Sequence, residues 1–577
     1  MSKITRRHFF RRTAAVGLGA ALSPKLAQNA RAFPTQAPTV QRGAGGELHF
    51  RLYVAQAGRG PHIHDFVYAS DPDGETFHSN IEVAPEGVVL SDTEGKKKFG
   101  INVRWNVEGF GFLYITADNG GEFYELPPGG KRATLNLNHE LAKSRVARNR
   151  RRVNLHLSQG WKPSREAQAF LDLSDAYFED ATKAQADGER CGALGQKSLY
   201  YALWAGEMIE LEKARWDIQR QDPRPGFLFG CDGRGYFQMN IERFLEYFVQ
   251  LFSYATITHY LLSGTFEDFE PSEGKKQFAL RKVLLDALRA RGVTVEGRPL
   301  FWAYKTTAPE WLKKKSFDEL LKYVEKHARE VVDYYGNDMY AWEIVNEMHD
   351  WANECQLTPD QTIELTRLAC DVTRHTNPRV LRLINNCCLF GEYIQKKKWT
   401  DLDAKYPQRT PFQFMKQLVE AGVDFNITGL QIYFSLRDLS DTVLLIEKFK
   451  NLGKPIHITE VGASSGPSER SIKLGGLGLS LDPCPWHRPW DEELQADWLE
   501  GVYTLMYSKP YVEAISWYDF VDPYSFVPNG GLLRSPQGEK KAAFERLARL
   551  EAQWKSPPKT SSTFNKTPAP MHNQGAV

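Results

Sequence analysis

Met339-Tyr340-Ala341-Trp342-Glu343-Ile344-Val345-Asn346 is a short apolar run that delivers a carboxylate, Glu347, at its exit. Helix-start signals stand on either side. Ser316-Phe317-Asp318-Glu319 and Thr358-Pro359-Asp360-Gln361 each set a hydroxyl three residues before an acid or amide, the signature of a capping box. The second also has proline at the first helical position. A strand framed by two helices is one unit of an α/β fold, and the unit recurs. Comparable runs occur at Phe227–Cys231, Tyr254–Thr258, Val295–Trp302, Val380–Ile384, Ile427–Tyr433, Pro455–Val461 and Ala514–Trp517, with amphipathic segments between them. Eight alternations over residues 225–555 predict a (β/α)8 TIM barrel. A doubly wound open sheet is the alternative, but the nucleotide fingerprint G-x-x-x-x-G-K-[ST] is absent.

Upstream the period changes. Leu48, Phe50, Leu52 and Val54 alternate, as do Phe99, Ile101, Val103, Trp105 and Val107. Phe112 and Tyr114 precede the turn signal Asp118-Asn119-Gly120-Gly121, and Leu135 and Leu137 read as a last strand. Residues 46–158 are therefore expected to form a small β-sandwich, either carbohydrate-binding or a brace for the barrel, with the basic cluster Lys143 to Arg152 as a solvated crossing. Residues 159–224 read as a helical hairpin punctuated by Gly188, Gly192 and Gly195.

The start of the chain reads as an address. Thr5-Arg6-Arg7-His8-Phe9-Phe10-Arg11, an apolar stretch from Ala14 to Leu22 and Ala30-Arg31-Ala32 have the layout of a secretory signal peptide over residues 1–32. The paired arginines resemble the twin-arginine type, whose partner is the export machinery for folded proteins. Residues 33–45 form a Pro/Gly-rich linker, and 556–577, rich in Ser, Thr, Pro and Asn, an expected disordered tail. Loss of residues 1–32 would remove seven basic residues and no acid, turning a formal charge of +2 into −5. That balance argues against a nucleic-acid partner. No run of 18 apolar residues predicts a membrane span. The seven cysteines include no C-x-x-C pair, so neither a structural metal site nor a disulfide-dense scaffold is expected. Aromatic residues make up 12%, which suits either sugar stacking or a large core.

In a TIM barrel, functional residues gather at the C-terminal ends of the strands. Two of those ends carry carboxylates: Glu347 after the fourth run, and Glu460 in Ile456-His457-Ile458-Thr459-Glu460 of the seventh. Strict alternation would send Trp342, Ile344 and Asn346 one way and Glu343 and Val345 the other. Strands four and seven face each other across a barrel mouth, and two carboxyl groups flanking one bond are what glycosidic hydrolysis needs.

The motifs make this specific. Trp342-Glu343-Ile344-Val345-Asn346-Glu347 resembles the W-D-V-V-N-E signature of glycoside hydrolase family 10, the xylanase family. Ile458-Thr459-Glu460 resembles its I-T-E segment, Gly429-Leu430-Gln431 its G-L-Q, and Ile515-Ser516-Trp517 with Asp519 and Asp522 its eighth-strand segment. Gly297 to Trp302 and Ala308-Pro309-Glu310-Trp311 resemble its third-strand region. The resemblance implies an exported, retaining, endo-acting β-glycanase for a plant polysaccharide such as xylan, with no cofactor. It implies Glu347 as acid/base and Glu460 as nucleophile, about 5–5.5 Å apart. Asn346, Gln431 and Tyr433 would serve the sugar and the nucleophile, and Trp302 and Trp517 would form apolar walls.

Departures stand beside the matches. Arg298 and Ala303 replace third-strand histidines, and Tyr433 replaces the histidine that orients the nucleophile. The second-strand motif has no clean counterpart, His259-Tyr260 being the nearest text. These departures keep other readings open: a mannanase or cellulase type, or a weakly active or non-catalytic polysaccharide-binding barrel. From Gly462 to Pro489 runs a Gly/Pro-rich loop, expected to cross the mouth and to offer Trp486 and Trp490 as stacking platforms.

Overall fold

The computed structural model describes residues 46–53, 63–264, 267–433, 437–466, 485–523 and 525–555. The expected signal segment, the linker, the tail and residues 467–484 of the long loop lie outside the described residues. Eight parallel strands close in chain order: Leu228–Asp232, Tyr254–Thr258, Thr294–Arg298, Ala341–Asn346, Leu381–Asn386, Ile427–Tyr433, Ile456–Gly462 and Val512–Trp517, the last pairing with the first. They are called strands one to eight below. The capping boxes at Ser316 and Thr358 both form, and a third forms at Thr410 ahead of Pro411. Each satisfies backbone N–H groups that the first helical turn leaves unpaired.

Upstream, two four-stranded sheets share one apolar core through Phe50, Leu90, Ile101, Val103 and Trp105. The strands end earlier than the alternation predicts. The last is Arg132–Asn136, and Leu137 opens a helix that runs to Ser158. Asn136 caps it by accepting from the His139 N–H at 3.2 Å, and the apolar pair Leu135 and Leu137 hides this boundary. Asp118–Gly121 is likewise a 3-10 turn; the hairpin it was expected to close turns instead between Val107 and Gly111.

Two more helices follow, Arg165–Lys183 and Gly188–Ile218, so the hairpin becomes a three-helix layer. Gly192 and Gly195 lie inside the last helix rather than between helices. A Cβ at Gly192 would fall 2.7 Å from Tyr53, and one at Gly195 would fall 3.0 Å from the Asn138 carbonyl oxygen, so close approach is what requires glycine there. The basic cluster is solvated only in part: Arg150 and Arg151 are exposed, whereas Arg145 and Arg152 are buried. Buried Arg145 pairs with Asp438 at 2.9 Å, and Arg152 bridges Glu210 at 2.6 Å and Glu447 at 2.7 Å. Close pairing with carboxylates of this kind is what makes burial of a guanidinium tolerable.

The sandwich docks on the loops after strands five and six, at the C-terminal end of the barrel. Thr76 donates to the Phe390 carbonyl at 2.6 Å, Gln395 donates to the Ser79 carbonyl at 2.9 Å, and Arg437 donates to Tyr68 and Asn102. The returning end of the long loop docks as well. Trp486 and Trp490 are buried and stack near each other, and Trp486 and His487 donate to Glu207 or pair with it at 3.1 and 2.6 Å. These tryptophans are packing residues, not platforms. Among the described residues no helix is long and apolar enough to cross a membrane.

The barrel wall is tightest at Gly297 on strand three, where an added Cβ would lie 2.2 Å from the Trp342 ring. Gly297→Ala is expected to cost about 1–3 kcal/mol through overpacking. Calorimetry should show an earlier melt of the barrel; an unchanged midpoint would mean that Trp342 swings aside freely.

Candidate active site

Two irregularities aim the carboxylates. Strand four slips register between Glu343 and Val345, and strand seven slips against strand six between Ile458 and Glu460. A bulge shifts the alternation of every residue beyond it. Trp342 contacts His259 and Tyr335 in the helix layer, so Glu343 points into the barrel. Past the slip Asn346 also faces inward, where Asn385 donates to its side-chain oxygen at 3.2 Å. Strict alternation put Asn346 on the opposite face from Glu343; the bulge corrects that. Thr459, within the second slip, donates to Asn385 at 2.6 Å, and Glu460 follows it into the barrel.

Glu347 lies one residue past strand four with φ +55°, a left-handed backbone that costs a non-glycine residue about 1–2 kcal/mol. Its N–H donates to the Asn385 carbonyl at 2.9 Å, which holds the turn. Its Oε1 accepts from Gln431 Nε2 at 2.8 Å, while its buried Oε2 has no partner among the described residues. Burial, and then the nearby charge of Glu460, push Glu347 up to about 8, against the lowering pull of the Gln431 donor. The group is thus a carboxylic acid at neutral pH.

Glu460 is held at both oxygens. Oε1 accepts from Arg298 Nη2 at 2.7 Å, and Oε2 accepts from the Tyr433 hydroxyl. Burial and the Glu460 charge raise Tyr433 well above the usual phenol range, so it remains a donor. The hydrogen bond expected of Tyr433 is present. Around them the barrel interior is rich in acids that burial shifts toward the protonated form. Glu343 is raised well above the carboxylate range, and Glu296, which accepts from Tyr254, is raised to about 7. His457 is driven down to about 3 by burial and stays neutral.

The walls are aromatic. Trp302, partly buried, stacks on Tyr304 at 4.9 Å, and Tyr304 stacks on Trp351 at 5.3 Å. Tyr260 adjoins Trp302 at 5.2 Å, and its hydroxyl lies 3.5 Å from that of Tyr518. Trp517 is not in this wall. It pairs in register with Val461, the neighbour of Glu460 on the opposite face, adjoins Trp498 of the helix layer, and donates to the Gly530 carbonyl at 2.9 Å. Parity turns it away from the mouth. Asp519 and Asp522 staple the loop after strand eight, accepting from the backbone at Phe526, Val527 and Gly531. His259 is a core residue bonded to Ile257 and Tyr335. Glu347, Glu460, Asn346, Gln431, Tyr433 and Trp302 thus come together. Sequence reading missed the roles of Arg298, Asn385 and Tyr304. The available signal for Arg298 was a cation two residues after Glu296, on the same inward face and in need of a partner.

A closed eight-stranded barrel with two buried carboxyl groups facing each other from strands four and seven is the architecture of a barrel glycoside hydrolase. Residues 264–550 match the model of glycosyl hydrolase family 10, and the chain belongs to that family. The match begins after strand two, where the family's second-strand motif was also missing. Endo-1,4-beta-xylanase B of Thermotoga neapolitana is 26% identical over 269 residues, 45% of this chain and 66% of that protein. A beta-1,4-xylanase of Dictyoglomus thermophilum is 26% identical over 204 residues, 34% of this chain and 51% of that protein. The chain thus spans about two thirds and about half of the length of these two relatives. Among solved structures, xylanase 10B from Thermotoga petrophila in complex with xylobiose is 17% identical, with a TM-score of 0.43, over 60% of this chain and 98% of that one.

Gln431→Leu removes the donor that favours the charged form of Glu347. Its titration midpoint should therefore move upward from about 8. Isotope-edited infrared titration of the glutamate carboxyl bands checks this, and a midpoint that stays or falls contradicts the assignment.

Proposed function

We propose that the chain is an exported, endo-acting β-glycanase that hydrolyses β-1,4-linked xylan with retention at the anomeric carbon. The observation that carries the reading is the pairing of an acid kept protonated, Glu347, with a carboxylate held at both oxygens, Glu460. A carboxylic acid on one side of the mouth and a carboxylate held by donors on the other divide the roles of acid and nucleophile.

In the first step a lone pair of Glu460 attacks the anomeric carbon while the bond to the leaving oxygen breaks, and the Glu347 proton passes to that oxygen. A glycosyl ester on Glu460 results. In the second step Glu347, now a carboxylate, takes a proton from water as the water oxygen attacks the same carbon. Glu460 leaves, and the original proton states return. Both reacting groups are side chains, so the chemistry asks for no cofactor. Asn346, fixed by Asn385, is suited to hold the hydroxyl next to the cleaved bond. Gln431 keeps Glu347 aimed, and Tyr433 supports Glu460. The Trp302–Tyr304–Trp351 stack offers an apolar face to a sugar ring. Xylan as substrate and endo action come from the names of the relatives and from the family.

Glu460→Ala should lower turnover on the best substrate of a xylan, mannan, glucan and arabinan panel by about 10⁴-fold or more. Azide should restore part of the turnover with inverted product. Near wild-type activity in this variant would remove Glu460 from the mechanism, and a preference for mannan or glucan would reassign the substrate.

Export is inferred from Arg6-Arg7 and the apolar stretch behind them. A fusion of residues 1–40 to a reporter that folds before transport should reach the periplasm, and Arg6→Lys with Arg7→Lys should stop it. Unchanged export of the double variant would point to the general secretory route.

A further inference from the structure

Arg298 is a fixed cation in a site built largely from acids. It enters from the end of strand three, is 1% exposed, and reaches Glu460 Oε1 from Nη2 at 2.7 Å. The same nitrogen lies 3.4 Å from the Tyr260 hydroxyl, and the guanidinium lies 5.3 Å from the centre of the Tyr518 ring. Its Nε and Nη1 are buried with no hydrogen-bond partner among the described residues. A sugar has no access to those atoms, so whatever Arg298 does for the reaction it does through Glu460.

We propose that Arg298 is a positioning residue that keeps Glu460 ionised and aimed on the acid side of the pH range, a part that a titrating imidazole could fill only while protonated. The proposal rests on Glu460 being the nucleophile. A buried carboxylate among other carboxyl groups takes up a proton unless an opposite charge or good donors oppose it. Each element around Glu460 brings a titratable group. Glu347 and Glu343 come from strand four, Glu296 from strand three and Cys387 from the end of strand five; burial raises all four, which makes them neutral neighbours. Tyr433, Tyr260 and Tyr518 are phenols raised by burial, and His457 beneath Glu460 is neutral. Asp519 after strand eight is raised to about 7 by burial. Arg234 at the exit of strand one is the other nearby cation, but it pairs with Asp232 at 2.8 Å and lies over Tyr518.

Arg298 is therefore the cation in direct contact with Glu460 among the described residues. A guanidinium does not lose its proton anywhere in the working range. Its support of the carboxylate is constant with pH, whereas support from a histidine rises and falls near neutrality. Its planar fork, packed by Tyr518 and bonded at one edge, also fixes where Oε1 sits.

The test uses an activated 2-deoxy-2-fluoro-xylobioside with a dinitrophenolate leaving group. Such a leaving group needs no proton from Glu347, so the rate of covalent trapping follows the ionisation of Glu460 alone. Peptide mapping of the trapped wild-type enzyme should find the label on Glu460; a label elsewhere sinks the nucleophile assignment and leaves Arg298 unexplained. With Glu460 labelled, Arg298→His and Arg298→Met should raise the acid midpoint of trapping by more than about one pH unit, slowing it about tenfold or more near pH 5. Trapping should recover at higher pH. Arg298→Lys keeps the charge, and its midpoint should stay within about half a unit of wild type. A loss that is uniform across pH, with an unmoved midpoint, overturns the proposal. So does a raised midpoint in Arg298→Lys, even if the other two variants fail to fold.

Discussion

Two carboxyl groups share one nearly dry barrel mouth, and they cannot both be charged without compensation. That electrostatic constraint organises the site. The chain resolves it by asymmetry. Glu460 receives a guanidinium and a phenol, one on each oxygen. Glu347 receives only neutral donors, the Gln431 amide and the Cys387 thiol, and is left to keep its proton. Glu343 and Glu296, deeper in the barrel, are raised by burial, Glu343 well above the carboxylate range and Glu296 to about 7, which limits the negative charge they add.

The backbone is shaped to the same end. Register slips in strands four and seven, together with the left-handed turn at Glu347, point polar residues inward where plain alternation would alternate them. Such local departures persist only where surrounding packing over-determines them. Asn385 is a small hub for this: it anchors the Glu347 N–H through its carbonyl, the Asn346 side chain through its amide, and Thr459 through its side-chain oxygen. The N-terminal sandwich and the helical layer add support from outside. They grip the loops after strands five and six through Thr76, Gln395, Arg437 and the buried Arg145–Asp438 pair. The sandwich is thus a brace on the side of the mouth where strands five and six present Asn385 and Gln431.

Much of this was legible in the sequence because it depends on local rules. Capping boxes at Ser316 and Thr358, eight apolar runs, and carboxylates at two run ends follow from short-range chemistry and from residue spacing. The misreadings share a cause. Leu137 looks like a strand residue because its neighbours alternate, yet Asn136 caps a helix there. Gly192 and Gly195 look like breaks, yet they admit Tyr53 and Asn138 to a helix surface. Trp486, Trp490 and Trp517 look like sugar platforms, yet each is spent on packing. In each instance the deciding neighbour is distant along the chain.

The sequence by itself determined the barrel, its order of strands and helices, and the two glutamates at the exits of strands four and seven, because periodicity, caps and strand ends are local properties. Tertiary structure decided the phase of Asn346, the exclusion of Trp517, the sealing of the long loop's tryptophans, and the salt bridge from Arg298 to Glu460. Those outcomes turn on which side chains meet across the closed sheet, on where a bulge resets the alternation, and on how deeply each charge is buried. None of these is set by spacing along the chain.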